Sequence, residues 1–86
     1  MHRTTDRFWR CFESLPKPVQ VVSKKNFELL KVNPSHPSLH FKKVGKFWSV
    51  RAGMNYRALA TEDGADFIWV CIGTHDEYQR LLKSFR

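Results

Sequence analysis

The segment from Leu39 to Ile72, LHFKKVGKFWSVRAGMNYRALATEDGADFIWVCI, decides the fold. Apolar and polar residues alternate along it, and Gly45-Lys46, Gly53-Met54 and Asp63-Gly64 interrupt the alternation at short intervals. A period of two is that of a half-buried strand, and glycine-containing pairs are favoured in tight hairpin turns. The pattern predicts four strands, Leu39 to Val44, Phe47 to Ala52, Tyr56 to Thr61 and Phe67 to Ile72, joined as an antiparallel meander. In the second of these, Trp48, Val50 and Ala52 share one face, while Phe47, Ser49 and Arg51 take the other. The fourth (FIWVCI) is apolar throughout, as expected of a central strand covered on both faces.

Upstream the period lengthens. Thr5 or Asp6 caps a helix that reaches about Leu15, with Phe8, Phe12 and Leu15 on one side and Trp9 alongside. Pro16 and Pro18 stop it, and Pro18 suits the first turn of a second helix. Val19, Val22, Phe27 and Leu30 form the stripe of that second helix, which Asn33-Pro34 ends after Val32. Downstream, Gly73-Thr74 breaks the apolar run. His75 to Phe85 then reads as a short helix burying Tyr78, Leu81, Leu82 and Phe85. The expected architecture is α+β over residues 1–86 as a single domain. An N-terminal helical hairpin packs on a four-stranded antiparallel sheet, followed by a short C-terminal helix.

The chain has 86 residues, which is enough for one small domain and too few for two. With 42% apolar and 14% aromatic residues it is a folding chain. Fifteen Lys and Arg against eight Asp and Glu give a formal charge of +7. Such a surface points to nucleic acid or an acidic protein as partner, or is simply well solvated. No apolar run approaches the roughly 20 residues of a membrane span. The polar stretch Met1 to Arg10 has no signal-peptide core, so the expected location is the cytoplasm. Cys11 and Cys71 lie among apolar residues outside any CxxC pair, and read as buried free thiols rather than a disulfide.

There is no Gly-rich phosphate loop and no G-x-S-x-G. His2, His36, His40 and His75 lack zinc-finger spacing, so neither a metal nor a cofactor is expected. What remains is a set of cations and one histidine near strand ends. A turn centred on Gly53-Met54 puts Arg51 opposite Arg57 on the neighbouring strand. Two opposed arginines repel unless an anion lies between them, and the guanidinium fork suits phosphate; the alternative is that both face solvent. His75 stands at the rim of the sheet, either as a proton-transfer group or as a helix-capping surface residue. Tyr78, one turn further on, either contacts a phosphate or base or packs as a core aromatic. His40 and Lys42 share a strand face, and with Lys43 and Lys46 they extend the positive patch as candidate RNA-binding residues.

The segment from Asn33 to Leu82 resembles toxins of the RelE/ParE superfamily, and within it the small RelE-like and HigB-like proteins. The resemblance rests on Ser49-Val50-Arg51, on Tyr56-Arg57, and on Ile72-Gly73-Thr74-His75. It implies the toxin of a type II toxin-antitoxin system that cleaves mRNA, usually in the ribosomal A site. The 2′-hydroxyl attacks the adjacent phosphate without a metal, and cations on the concave sheet face stabilise the developing charge. It further implies a cognate antitoxin that wraps over the site. Carried over, Arg51 and Arg57 match the family arginines, His75 the residue after the last strand, and Tyr78 the nearby aromatic. His40 and Lys42 echo the lysine pair of RelE only loosely, and no acidic residue matches the base that some members use. The alternatives are a ParE-like inhibitor of DNA gyrase without nuclease activity, and an inactive relative.

Overall fold

The computed structural model describes residues 1–84. Its elements are β1 (His2–Thr4), α1 (Asp6–Glu13), α2 (Lys17–Val32), β2 (Lys42–Val44), β3 (Phe47–Gly53), β4 (Tyr56–Asp63), β5 (Asp66–Thr74) and α3 (His75–Ser84), with a 3-10 turn over Pro37–Leu39. The sheet has five strands in the order β1-β5-β4-β3-β2. The meander from β2 to β5 is antiparallel, as expected. The sheet as a whole is mixed and not four-stranded, because β1 joins β5 in parallel with His2 beside Phe67 and Thr4 beside Trp69. A strand of three polar residues carries no apolar alternation to reveal it. It is held by the Trp69 indole N–H donating to His2 Nδ1 at 3.0 Å and by Arg3 pairing with Asp63 and Asp66.

The helical hairpin covers one face of the sheet. Phe12, Leu15 and Leu30 pack there with Val50, Ala52, Ala58, Ala60, Trp69 and Ile72. Thr5 caps α1, its hydroxyl accepting from the Phe8 N–H at 3.1 Å and donating to the Trp69 carbonyl. In α2 the buried stripe departs from expectation: Val22 is 40% exposed, and Ser23 takes the inward position one turn after Val19. The Ser23 hydroxyl bonds the carbonyls of Val19 and Ala52, so its burial leaves no polar atom unpaired.

The second face is covered by α3. Tyr78, Leu81 and Leu82 pack against Phe47, Leu59 and Val70, so β5 is covered on both faces and the molecule has three layers. Phe85, expected in the same stripe, lies outside the described residues. The apolar run of β5 serves both cores because Val70 is an extra residue. Leu59 pairs with Cys71 and Ala60 with Trp69, and this bulge sends Val70 to the α3 side.

The first strand of the meander is shorter than its pattern. Leu39 is fully buried but closes the 3-10 turn, and His40 adopts a left-handed backbone (φ 47°) that no strand accommodates. Two prolines, Pro34 and Pro37, fix the preceding backbone and leave alternation at Leu39–Phe41 without a ladder.

Candidate functional site

The site is built where β3, β4 and the start of α3 meet. Arg51 and Arg57 are cross-strand partners, in the register the sequence predicts. The turn between them is centred one residue later than expected, on Met54-Asn55, and a bulge between Arg51 and Gly53 restores the pairing. A bulge leaves ladder carbonyls free. Here α2 takes them: Asn26 donates to the Arg51 carbonyl at 2.9 Å and Ser23 to the Ala52 carbonyl at 3.1 Å. The backbone that carries Arg51 is therefore clamped from behind.

Both arginines are half-buried. Arg51 Nε reaches the Gly53 carbonyl at 3.3 Å, and Arg57 donates to the Ser49 hydroxyl at 3.3 Å. Among the described residues no ion pair includes either arginine. Two positive groups thus stand side by side on the sheet with donors left to offer.

His75 joins them. Thr74 and Glu77 form a reciprocal cap at the start of α3: Glu77 N–H donates to the Thr74 hydroxyl, and the Glu77 carboxylate accepts from the Thr74 N–H and hydroxyl. Gly73 makes room for that carboxylate, since a Cβ there would lie 3.2 Å from it. The His75 N–H donates to the Asn55 carbonyl at 3.0 Å, tying the start of α3 to the β3–β4 turn. A polar cleft of about 270 Å³ results, lined by Arg51, Met54, Asn55, Tyr56, Arg57 and His75. Met54, Asn55 and Tyr56 were not among the expected site residues. Their signal was adjacency to the Tyr56-Arg57 pair in a turn that faces the strand end carrying His75.

The other expected residues divide. Tyr78 is only 6% exposed and belongs to the α3 core, with its ring 5.8 Å from the Arg57 guanidinium and 5.7 Å from the His75 ring. It supports both side chains from beneath. Lys42 lies opposite Ser49, whose hydroxyl bonds Arg57, so Lys42 is on the arginine face. Lys43 lies opposite Trp48 on the other face and pairs with Glu62 at 3.5 Å. Glu62 also accepts from the Trp48 indole. His40 is outside the strand, so it does not share a face with Lys42. Lys46 is exposed in the β2–β3 turn. Among the described residues no cluster of three or more His, Cys, Asp or Glu could hold a metal ion.

No family model and no curated protein matches the chain. Solved structures do. A chain of the RelB-RelE antitoxin-toxin complex from Methanococcus jannaschii aligns with a TM-score of 0.72 at 16% identity, over 92% of this chain and 96% of that one. The fold is that of the RelE toxins. The isolated RelE toxin of E. coli aligns over 100% of this chain and 98% of its own, at a TM-score of 0.62 and 12% identity. A chain of the archaeal RelE-RelB complex from Pyrococcus horikoshii aligns over 85% and 91%, at 0.61 and 16%. In this RelE fold the cleft of Arg51, Arg57 and His75 opens at the end of the sheet where β3, β4 and β5 come together. No helix among the described residues is long and apolar enough to cross a membrane.

Proposed function

We propose that this chain is the toxin of a type II toxin-antitoxin system and cleaves mRNA on the ribosome, in the cytoplasm, without a metal. The observation that carries the reading is the facing pair Arg51 and Arg57, free of carboxylate partners among the described residues and lining one cleft with His75. A phosphate diester fits between two such forks, because each guanidinium donates two parallel hydrogen bonds to it. The RNA's own 2′-hydroxyl attacks phosphorus, its proton passing to solvent water, and the bond to the 5′-oxygen breaks. The arginines stabilise the charge that grows on the phosphoryl oxygens during this step. His75 is exposed at the rim, where it delivers a proton to the leaving oxygen. Tyr78 positions Arg57 and His75, while Lys42 and Lys46 draw the strand in. The antitoxin covers this cleft, as a segment rich in carboxylates or apolar side chains.

The test is induction of the chain in cells, with primer extension across abundant transcripts. New mRNA ends that depend on Arg57 and His75 are expected. Growth arrest with intact mRNA and inhibited DNA gyrase would replace this reading with that of a gyrase inhibitor.

A further inference from the structure

The two cysteines are not independent. Cys11 on α1 and Cys71 on β5 lie 60 residues apart in the chain, yet their Sγ atoms are 3.9 Å apart. Both are free and only half-buried. Thr5, at the start of α1, already bonds the Trp69 carbonyl of β5, so the helix is fixed at that end and its next turns lie along the strand. A sulfur–sulfur bond is about 2.05 Å long, so the two sulfurs must approach further before they bond.

We propose that Cys11 and Cys71 are a reversible oxidation site, closed to a disulfide by a peroxide, that staples α1 to β5 of the sheet. Burial and the neighbouring Cys11 push the Cys71 thiol up to about 11, so Cys71 stays protonated at neutral pH. In the proposed order Cys11 meets the oxidant first. Its thiolate attacks one peroxide oxygen, the O–O bond breaks, and a sulfenic acid forms with loss of one water after protonation. The Cys71 sulfur then attacks the Cys11 sulfur, the sulfenic oxygen leaves as a second water, and the disulfide forms. The two sulfurs supply the two electrons that reduce the peroxide. A dithiol reverses the change by thiol exchange. The bond closes a loop of some 60 residues, and cross-links over long loops constrain the unfolded chain most. The inference does not depend on the nuclease reading.

The test uses the full chain at low concentration, treated with hydrogen peroxide and then alkylated under denaturing conditions. The expected product has lost two hydrogen atoms, resists alkylation at both cysteines, and yields one linked peptide pair containing Cys11 and Cys71. Its Tm should rise on the order of 10 °C, and dithiothreitol should restore the starting mass and Tm. Cys11→Ser should give no linked pair. Cysteines that both remain open to alkylation, oxidation that stops at sulfinic acid, linkage only between molecules, or closure without a rise in Tm would each overturn the proposal.

Discussion

Arg51 and Arg57 face each other across adjacent antiparallel strands, and the carbonyl of Arg51 is held by Asn26 of the helix behind the sheet. Paired cations at this spacing repel, so the arrangement is most stable with an anion between them. Removing either fork should therefore act on phosphate binding. Arg57→Ala should lower the RNA cleavage rate by about 10²–10³-fold, the effect of losing one preorganised donor group. Arg57→Lys should recover only part of the loss, because an ammonium keeps the charge without the fork. Thermal unfolding of both variants should stay close to the parent, since the contacts at stake are one hydrogen bond to Ser49 at 3.3 Å and the approach of the guanidinium to the Tyr78 ring at 5.8 Å. A cleavage rate unchanged in Arg57→Ala would remove the pair from the site.

His75 stands on a helix start fixed twice, by the Thr74–Glu77 cap and by the Asn55 carbonyl. Neither restraint uses its imidazole. His75→Ala should consequently fold normally and bind the antitoxin as the parent does. Its cleavage rate should fall by about 10²–10⁴-fold, the range for loss of a general acid. Rates on a substrate with a better leaving group at the 5′-oxygen should be rescued, which separates loss of the acid from loss of binding. A fully active His75→Ala would mean that another group protonates the leaving oxygen.

Much of the geometry of this cleft is legible in the sequence, and the reasons are local. The Arg51–Arg57 register follows from strand alternation and turn position, and it survives a one-residue shift in the turn because the bulge after Arg51 compensates. His75 was placed by the break at Gly73-Thr74, which is a real helix start. What the sequence concealed was tertiary. β1 is three polar residues that become a strand only because β5 offers an open edge. His40 leaves the strand because Leu39 is pulled into the core by a 3-10 turn. Lys43 looks like its neighbour Lys42, yet the two-residue period sends it through the sheet to Glu62. Tyr78 fits a core stripe and a site edge equally well by spacing, and burial decides for the core.

β1 carries a pH dependence of stability. His2 stacks on Phe67 and Trp69, and its Nδ1 accepts from the Trp69 indole. Burial first, and then the chain's amino terminus and Lys31, hold its pKa below the ordinary 6.5. The folded state therefore takes up a proton less readily than the unfolded state. The stability from neutral His2 is fully present above 6.5 and is lost as pH falls through the lower, folded value. Tm should thus decline between neutral pH and pH of about 5, and the decline should be shallower in His2→Ala. Parallel Tm–pH curves for the two proteins would show that His2 does not report on β1.

Lys42 and Lys43 are adjacent in sequence and separated by the thickness of the sheet. Lys42 is exposed opposite Ser49, on the face of Arg51 and Arg57. Lys43 pairs with Glu62 on the face that carries Trp48. RNA lying in the cleft can reach the first and not the second. Each phosphate contact adds about one unit to the slope of log affinity against log salt. Lys42→Ala should therefore weaken RNA binding at low salt and flatten that slope by about one unit. Lys43→Ala should leave both unchanged and act only slightly, on stability alone, because its ion pair is largely exposed. Fluorescence anisotropy of labelled RNA across a salt series measures both quantities in one experiment. Equal losses in the two variants would place RNA over the β2 edge instead of on the arginine face, and would move the binding path away from the cleft.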